Sequence, residues 1–213
     1  YEDGLAAYNS GDYATAMRLW RPLAEQGDAA AQANLGGAYQ QGQGVPQDHT
    51  EAVKWLRLAA NQGHAIAQNI LGYMYGEGQG VPQDYAEALK WHRLAAEQGH
   101  APAQLALGFV YGKGQGVPQD DAEAAKWTRL AAEQGNADAQ TILGNMYFLS
   151  QGVPKDYMRA HMWLSLAAAR GSDDAKEFLD IVVSLLKPKQ IAMAQKMARE
   201  WKPKPEIAPA PRR

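Results

Sequence analysis

The sequence predicts an all-α fold of stacked helical repeats, and three observations support this prediction. A Val-Pro pair and a tryptophan each recur four times with a step of 36 residues. Residues 48–83 and 84–119 are identical at 25 of 36 positions without a gap. A fixed period of this length is typical of stacked-repeat folds. The pairs are Val45-Pro46, Val81-Pro82, Val117-Pro118 and Val153-Pro154, and the tryptophans are Trp55, Trp91, Trp127 and Trp163.

The first half of each repeat has the pattern of an amphipathic helix. In residues 48–62, Asp48 precedes Glu51 by three positions, which is a capping-box spacing with Asp as the cap. An apolar stripe with helical spacing follows, made of Ala52, Trp55, Leu56 and Ala59. Together with Leu58 it covers more than half of the helix, so we expect packing on two sides. Gly63 is expected to end this helix in a left-handed conformation.

The second half of each repeat predicts another helix. His64 occupies the position before it, and the equivalent residues are mostly good N-caps, namely Asp28, His100, Asn136 and Ser172. The second apolar stripe is Ala67, Ile70, Leu71, Met74 and Tyr75. We expect Gly76 to end this helix.

The glycine-rich stretch GEGQGVPQD, residues 76–84, raises the alternative of a phosphate-binding loop. Such loops follow a strand and open a helix, so that the phosphate meets the helix N-terminus. Here the glycines follow a predicted helix, and no lysine and hydroxyl pair comes after them. We therefore favour a tight return loop, in which Pro82 excludes helix for Gly80 and Val81.

The period divides residues 1–202 into a single predicted solenoid with a C-terminal helical cap. The apolar pattern after Asp173 stops before Pro188, and a further amphipathic segment is expected to fold back on the last repeat. The Pro-rich tail 203–213 is predicted to be disordered, although a linker or a peptide ligand stays open. The predicted segments are repeats 12–47, 48–83, 84–119 and 120–155, a degenerate repeat 156–187 and a cap helix 188–202.

The repeat resembles a known family. Residues 52–84, AVKWLRLAANQGHAIAQNILGYMYGEGQGVPQD, are similar to the Sel1-like repeat, a tetratricopeptide-related αα unit. The elements Ala-x-x-Trp, Ala-Ala-x-x-Gly, Ala-Gln-x-x-Leu-Gly-x-x-Tyr and Gly-x-Gly-Val all occur in register. The resemblance implies a right-handed α/α superhelical solenoid whose first helices line a concave surface that binds partners. It also implies a bacterial protein, exported or periplasmic rather than cytoplasmic, and it supplies no catalytic residue.

Composition excludes several function classes. The formal net charge of -2 argues against general nucleic-acid binding. No apolar run approaches the roughly 18 residues that a membrane helix needs. The chain has no cysteine, so disulfides and thiolate metal sites are impossible.

Two sets of positions are candidate partner-binding residues. The first is a polar strip of paired cations on the first helices: Arg18 and Arg21, Lys54 and Arg57, Lys90 and Arg93, and Lys126 and Arg129. This strip suits an acidic partner, although a merely solvated face is the favoured reading, because Glu51, Glu87 and Glu123 each precede a lysine by three residues. The second set varies between repeats and is expected to face a groove: Tyr13, His49 and Tyr85, and Trp20, Leu56 and His92.

No cofactor, metal site or catalytic residue is expected. The five histidines lie in separate repeats or at helix starts, and none has a second ligand at i, i+4. The sequence therefore predicts a non-enzymatic scaffold that binds an unidentified protein or peptide. The alternative is a protein that binds an acidic small molecule, a glycan or a peptidoglycan fragment through a basic groove.

Overall fold

The computed structural model describes residues 1–204, and over this range it contains twelve helices and no strand. Residues 205–213, most of the tail expected to be disordered, lie outside the described residues. The chain divides into two compact units, Tyr1–Gln98 and Gly99–Arg213. The expectation of one continuous solenoid over residues 1–202 stays a prediction.

Each unit contains six helices. Unit 1 comprises α1 (Glu2–Asn9), α2 (Tyr13–Glu25), α3 (Ala29–Gln41), α4 (His49–Asn61), α5 (Ala65–Glu77) and α6 (Tyr85–Glu97). Unit 2 comprises α7 (Ala101–Lys113), α8 (Asp121–Glu133), α9 (Ala137–Leu149), α10 (Tyr157–Ala168), α11 (Asp173–Ser184) and α12 (Pro188–Glu200).

Consecutive helices pack against each other from α1 to α6 and from α7 to α11, and α12 packs on α10, which confirms the α/α repeat fold. The most extensive packing joins the second helix of one repeat to the first helix of the next, as in α3 with α4 and α9 with α10. Small and branched residues fill these interfaces, and Ala52, Leu56 and Leu71 are fully buried. Burial of apolar surface between neighbours is the main stabilising term in such repeats.

The helix ends follow the caps expected from sequence, with one correction. The Asp48 carboxylate accepts the Glu51 amide at 3.0 Å, and His64 Nδ1 accepts the Ala67 amide at 3.3 Å. The expectation that Gly76 ends the second helix is wrong, because α5 continues to Glu77. The left-handed residue is Gly78, with φ of 67°. Glycine adopts this conformation without a Cβ clash, so the chain reverses there.

The next glycine, Gly80, allows the return loop to lie against the start of α4. Its φ is 70°, and a Cβ there would overlap the His49 carbonyl group. Gly44 stands in the same relation to Tyr13, and Gly152 to Asp121. The glycine pattern is therefore explained by a tight loop that follows a helix and closes on the first helix of its own repeat.

The glycine of each Leu-Gly pair marks the closest approach between neighbouring helices. A Cβ at Gly36 would lie 2.5 Å from Leu56 Cγ, and one at Gly72 would lie 2.9 Å from the His92 ring. Gly4 faces Trp20 in the same way, so these glycines create the space for the variable side chain. Trp20, Leu56 and His92 are consequently buried. Their variation between repeats predicted a groove surface, and the structure corrects this prediction, because a position that varies in size need not be exposed.

A series of glutamines, which was not predicted from the sequence, links successive repeats. Gln68 Nε2 donates to the Ala60 carbonyl at 3.0 Å, and Gln98 Nε2 donates to Gln68 Oε1 at 2.6 Å. The side chain of Gln68 is thus buried with both of its ends bonded, which is how interiors accommodate polar groups. The equivalent residues Gln32 and Gln140 bond to Ala24 and Ala132, and they accept from Gln62 and Arg170.

The close approach at Gly36 can be tested against its neighbour Gly37. We expect Gly36→Ala to lower the free energy of unfolding by about 1–3 kcal/mol, because the new methyl group overpacks against Leu56. Gly37→Ala, which meets no atom within 4 Å, should raise it by up to about 1 kcal/mol through helix propensity. Urea unfolding of both variants measures the difference, and equal effects of the same sign would contradict this packing.

The glutamine series can be tested with an isosteric change. We expect Gln68→Met to lower the free energy of unfolding by about 1–3 kcal/mol, because the Ala60 carbonyl and the Gln98 amide each lose one hydrogen bond. Gln41→Met, at an exposed position of α3, is the control and should change stability by less than about 0.5 kcal/mol. Thermal unfolding of the two variants decides between a structural and an incidental role for these bonds.

Candidate binding surface

The predicted cations of unit 1 lie at equivalent positions of α2, α4 and α6, and we call this set the cation strip. Its six side chains are exposed: Arg18, Arg21, Lys54, Arg57, Lys90 and Arg93. In unit 2 the equivalent residues of α8 are Lys126, which is exposed, and Arg129, which is half-buried.

The lysines of the strip are paired with glutamates of their own helix. Lys54 Nζ lies 2.8 Å from Glu51 Oε2, and Lys90 Nζ lies 3.0 Å from Glu87 Oε1. The hydrogen bond and the charge of Glu51 raise the pKa of Lys54. Exposed pairs of this type contribute little to stability. Their main effect is to offset part of the positive charge of the strip, as the sequence predicted.

Two arginines of the strip have neutral hydrogen-bond partners instead. Arg57 Nη2 donates to the Tyr75 hydroxyl at 2.6 Å, and Arg21 Nη2 donates to the Tyr39 hydroxyl at 2.7 Å. In unit 2, Arg129 Nη2 donates to the Tyr147 hydroxyl at 2.9 Å. A phenol orients the guanidinium without neutralising it, so the strip keeps its positive charge at these arginines.

Two leucines lie exposed among these cations, and they correct the expectation that Leu58 is packed. Leu58 is 48% exposed and Leu94 is 39% exposed. Each leucine follows a lysine of the strip by four residues, so the two side chains are neighbours on the helix surface. The repeated leucine at this position was the available sequence signal, but periodicity alone assigned it to the core. The strip therefore combines positive charge with accessible apolar area.

The same face of α10 in unit 2 is apolar and covered. Met162 stands where Lys54 and Lys90 stand in unit 1, and Leu166 stands at the position of Leu58. Both are buried, and Leu166 is only 9% exposed. They belong to one apolar cluster with residues of α12, which packs on α10 as the expected C-terminal cap.

The covering segment is an amphipathic helix that ends in a tryptophan. Ala194 is fully buried, and Met197 and Ala198 pack into the same cluster. The Trp201 ring lies 6.0 Å from the Trp163 ring, and the Arg170 guanidinium lies over Trp201 at 5.2 Å. After the helix, Lys204 bonds to Glu133 at the end of α8 through both its amide and its side chain.

The residues that vary between repeats, which were the second set of binding candidates, include three buried residues and three residues at helix starts. Trp20, Leu56 and His92 are interior, as described above. Tyr13, His49 and Tyr85 begin the first helices. Tyr13 packs on Tyr8 with ring centroids 5.0 Å apart, and Tyr85 accepts a hydrogen bond from Gln83 at 3.0 Å. His49 lines a shallow, glutamine-rich cavity of about 380 Å³, formed by Gln40, Gln41, Gln47, His49, Tyr73 and Gln79.

The histidines do not form a site with one another. Burial lowers the pKa of His92 to about 4, so its ring is neutral at pH 7, and its Nδ1 lies 3.0 Å from Asn69 Oδ1. Burial also lowers the pKa of His64 and of His161. Within residues 1–204, no group of three or more His, Asp or Glu side chains could hold a metal ion. None of the helices described is long and apolar enough to span a membrane.

Packed helix pairs with a 36-residue period define an α/α repeat protein. The Sel1 repeat model matches five consecutive segments, residues 1–28, 29–64, 65–100, 101–136 and 137–172. The chain therefore belongs to the Sel1 repeat family. Four of these segments begin at the second helix, so they differ from the sequence-based repeats in their starting point and not in their period. Sel1 repeat proteins are generally non-catalytic scaffolds for protein interaction.

Solved structures of Sel1 repeat proteins resemble this chain closely. The c5321 protein, a protective antigen present in uropathogenic Escherichia coli strains, shares 36% identity with a TM-score of 0.81 over 94% of this chain. This chain spans only 45% of that one. A Sel1 repeat protein from Oxalobacter formigenes shares 34% identity with a TM-score of 0.80, over 93% of this chain and 83% of its own.

A more distant structure shows the fold alone. The immunity protein Pa5087 from Pseudomonas aeruginosa has a TM-score of 0.58 at 18% identity, over 98% of this chain and 85% of its own. No curated protein matches the chain.

The buried His92 predicts a stability that depends on pH. Its pKa is about 4 in the folded state against 6.5 ordinarily, so below pH 6.5 the unfolded chain binds a proton that the folded chain does not. The folded state therefore loses stability as the pH falls from about 6.5 toward 4, by at most about 1.4 kcal/mol per pH unit. His92→Leu, which copies Leu56, should remove this part of the slope in urea unfolding between pH 7.5 and 4.5. Parallel curves for the two proteins would contradict the prediction.

Proposed function

We propose that this chain is a non-catalytic scaffold that binds a partner protein or peptide through the cation strip of unit 1 and the leucines within it. The observation that carries the proposal is the mixed character of this face. Leu58 and Leu94 are exposed there beside cations, whereas the equivalent Leu166 is buried in an apolar cluster that it shares with α12. This apolar face is buried on α10 in unit 2 and exposed on α4 and α6 in unit 1. An exposed face of this kind is a reasonable binding surface.

Electrostatics favour an acidic partner. The positive charges of Arg21 and Arg57 are not offset by their hydrogen-bond acceptors, which are neutral phenols. Charge complementarity of this kind steers association and adds specificity, while the leucines supply apolar contact. Catalysis forms no part of the proposal, since the family is in general non-catalytic and the most perturbed histidine, His92, is a packed interior residue.

An acidic small molecule or glycan fragment is the second candidate for the same strip. The arginines alone would suffice for such a ligand, but exposed leucines contribute nothing to the binding of a hydrophilic anion. A protein partner would bury them, and this favours the protein over the small anion. Salt distinguishes the two candidates, because binding through charge alone weakens steeply with ionic strength, whereas apolar contact persists.

The proposal predicts that the strip can be reversed in charge without unfolding the protein. We expect Lys54→Glu with Lys90→Glu to change the free energy of unfolding by less than about 1 kcal/mol, because both side chains are exposed. The same double variant, used as bait in an extract of bacterial envelope proteins, should lose partners that the wild type retains.

The matched control is Lys113→Glu with Lys176→Glu, which reverses two exposed cations elsewhere in the chain. Baits are compared by mass spectrometry at low and high salt. Retention of the same partners by all three proteins would overturn the proposal, and so would unfolding of the strip variant.

A further inference from the structure

We propose that the partner segment bound by unit 1 is an amphipathic α-helix with an acidic polar face, docked on α6 as α12 is docked on α10. This inference rests on the proposed function and specifies the partner for that surface. It is carried by a contact within the chain itself, since α12 is a helix already bound to the equivalent face in unit 2.

The docking of α12 shows what this face of a first helix accepts. The apolar side of α12 turns Met197 and Ala198 into the cluster that contains Met162 and Leu166, and Ala194 on the same side is fully buried. Trp201 then packs at the end of the helix against Trp163 and Arg170. Burial of an apolar stripe at i, i+3 and i+4 is the standard way in which a helix binds in a groove.

Unit 1 provides the same face in an uncovered form. Leu94 stands at the position of Leu166 and is 39% exposed, whereas Trp91, at the position of Trp163, is buried with Lys90 Nζ 5.2 Å from its ring centroid. Gly63 follows α4 as Gly135, whose neighbours include Trp201, follows α8. A helix of about the length of α12 can therefore dock on α6 in the same orientation, with its apolar stripe on Leu94.

The charges of the two faces disfavour α12 of a second copy as the occupant. In α12 the outer side carries Lys189, Lys196 and Arg199, and Glu200 is its single acidic residue. On α10 the face is uncharged at Met162 and tolerates this helix, but on α6 the equivalent residue is Lys90. Like charges would repel a basic helix there, whereas glutamates and aspartates flanking the apolar stripe would be attracted.

The test uses three labelled peptides and the full chain. The first probe copies residues 187–204 with glutamate in place of every lysine and arginine, so that the apolar stripe and Trp201 are retained. The second is the native basic sequence, and the third is the acidic probe with Gln195→Pro, which prevents a continuous helix while leaving the apolar side chains unchanged. Fluorescence anisotropy measures their affinities at low and at high salt.

We expect the acidic helical probe to bind at least about tenfold more tightly than either of the other two peptides. Leu94→Glu in the protein should weaken this binding by about tenfold or more, because it removes the apolar contact and adds a like charge. Lys90→Glu is a second variant that leaves Leu94 intact and should also weaken it. Ile66→Glu is the matched control, since Ile66 is exposed on α5, outside the strip.

Each of the other outcomes would contradict the acidic helical partner, and none of them would by itself contradict the proposed scaffold function. Equal binding of the acidic probe and its proline variant would show that the strip takes extended acidic segments, so that the scaffold function stands and the helix does not. Equal binding of the native peptide would point to a second copy of α12. Binding that survives Leu94→Glu and Lys90→Glu would lie elsewhere, and no binding by the acidic probe would exclude a helix of this chemistry. The proposed function itself is judged by the bait comparison.

Discussion

The close approach between a second helix and the first helix that follows it is the constraint on which the rest of this structure depends. Gly36 and Gly72 permit the approach because each has no Cβ, and the facing side chains Leu56 and His92 fill the space. With this side of the first helix committed to packing, the side that carries Lys54 and Leu58 is left to solvent. The buried contact thus determines which residues are available for binding.

The fold was predictable from the sequence because its signals are repeated. The period, the caps at Asp48 and His64 and the stacking of Leu71 all recur, so each repeat supports the interpretation of the others. Repetition did not resolve the exact end of the second helix. Gly76 and Gly78 are both plausible helix ends in the sequence, and only the return path of the chain, with Gly80 against His49, distinguishes them.

The candidate surface was less predictable, since exposure is not a property of a single helix. Variation at the Leu56 and His92 positions suggested a surface, but each side chain lies opposite a glycine 20 residues earlier, a pairing visible only in three dimensions. Periodicity assigned Leu58 to the core, although no neighbour covers it in unit 1. The hydrogen bonds of Gln68 were missed for a related reason, because one partner is a backbone carbonyl, which sequence comparison does not reveal.

The contrast between α6 and α10 shows how a repeat scaffold acquires different binding properties on one backbone. Both helices keep the tryptophan and the leucine that define the face, and they differ at Lys90 and Met162. On α10 the uncharged Met162 is buried in a cluster shared with the basic helix α12, whereas on α6 the cation Lys90 takes this position and Leu94 is exposed. Specificity in such a protein therefore lies in the charged positions around a constant apolar centre, where attraction to one partner and repulsion of another arise from the same side chain.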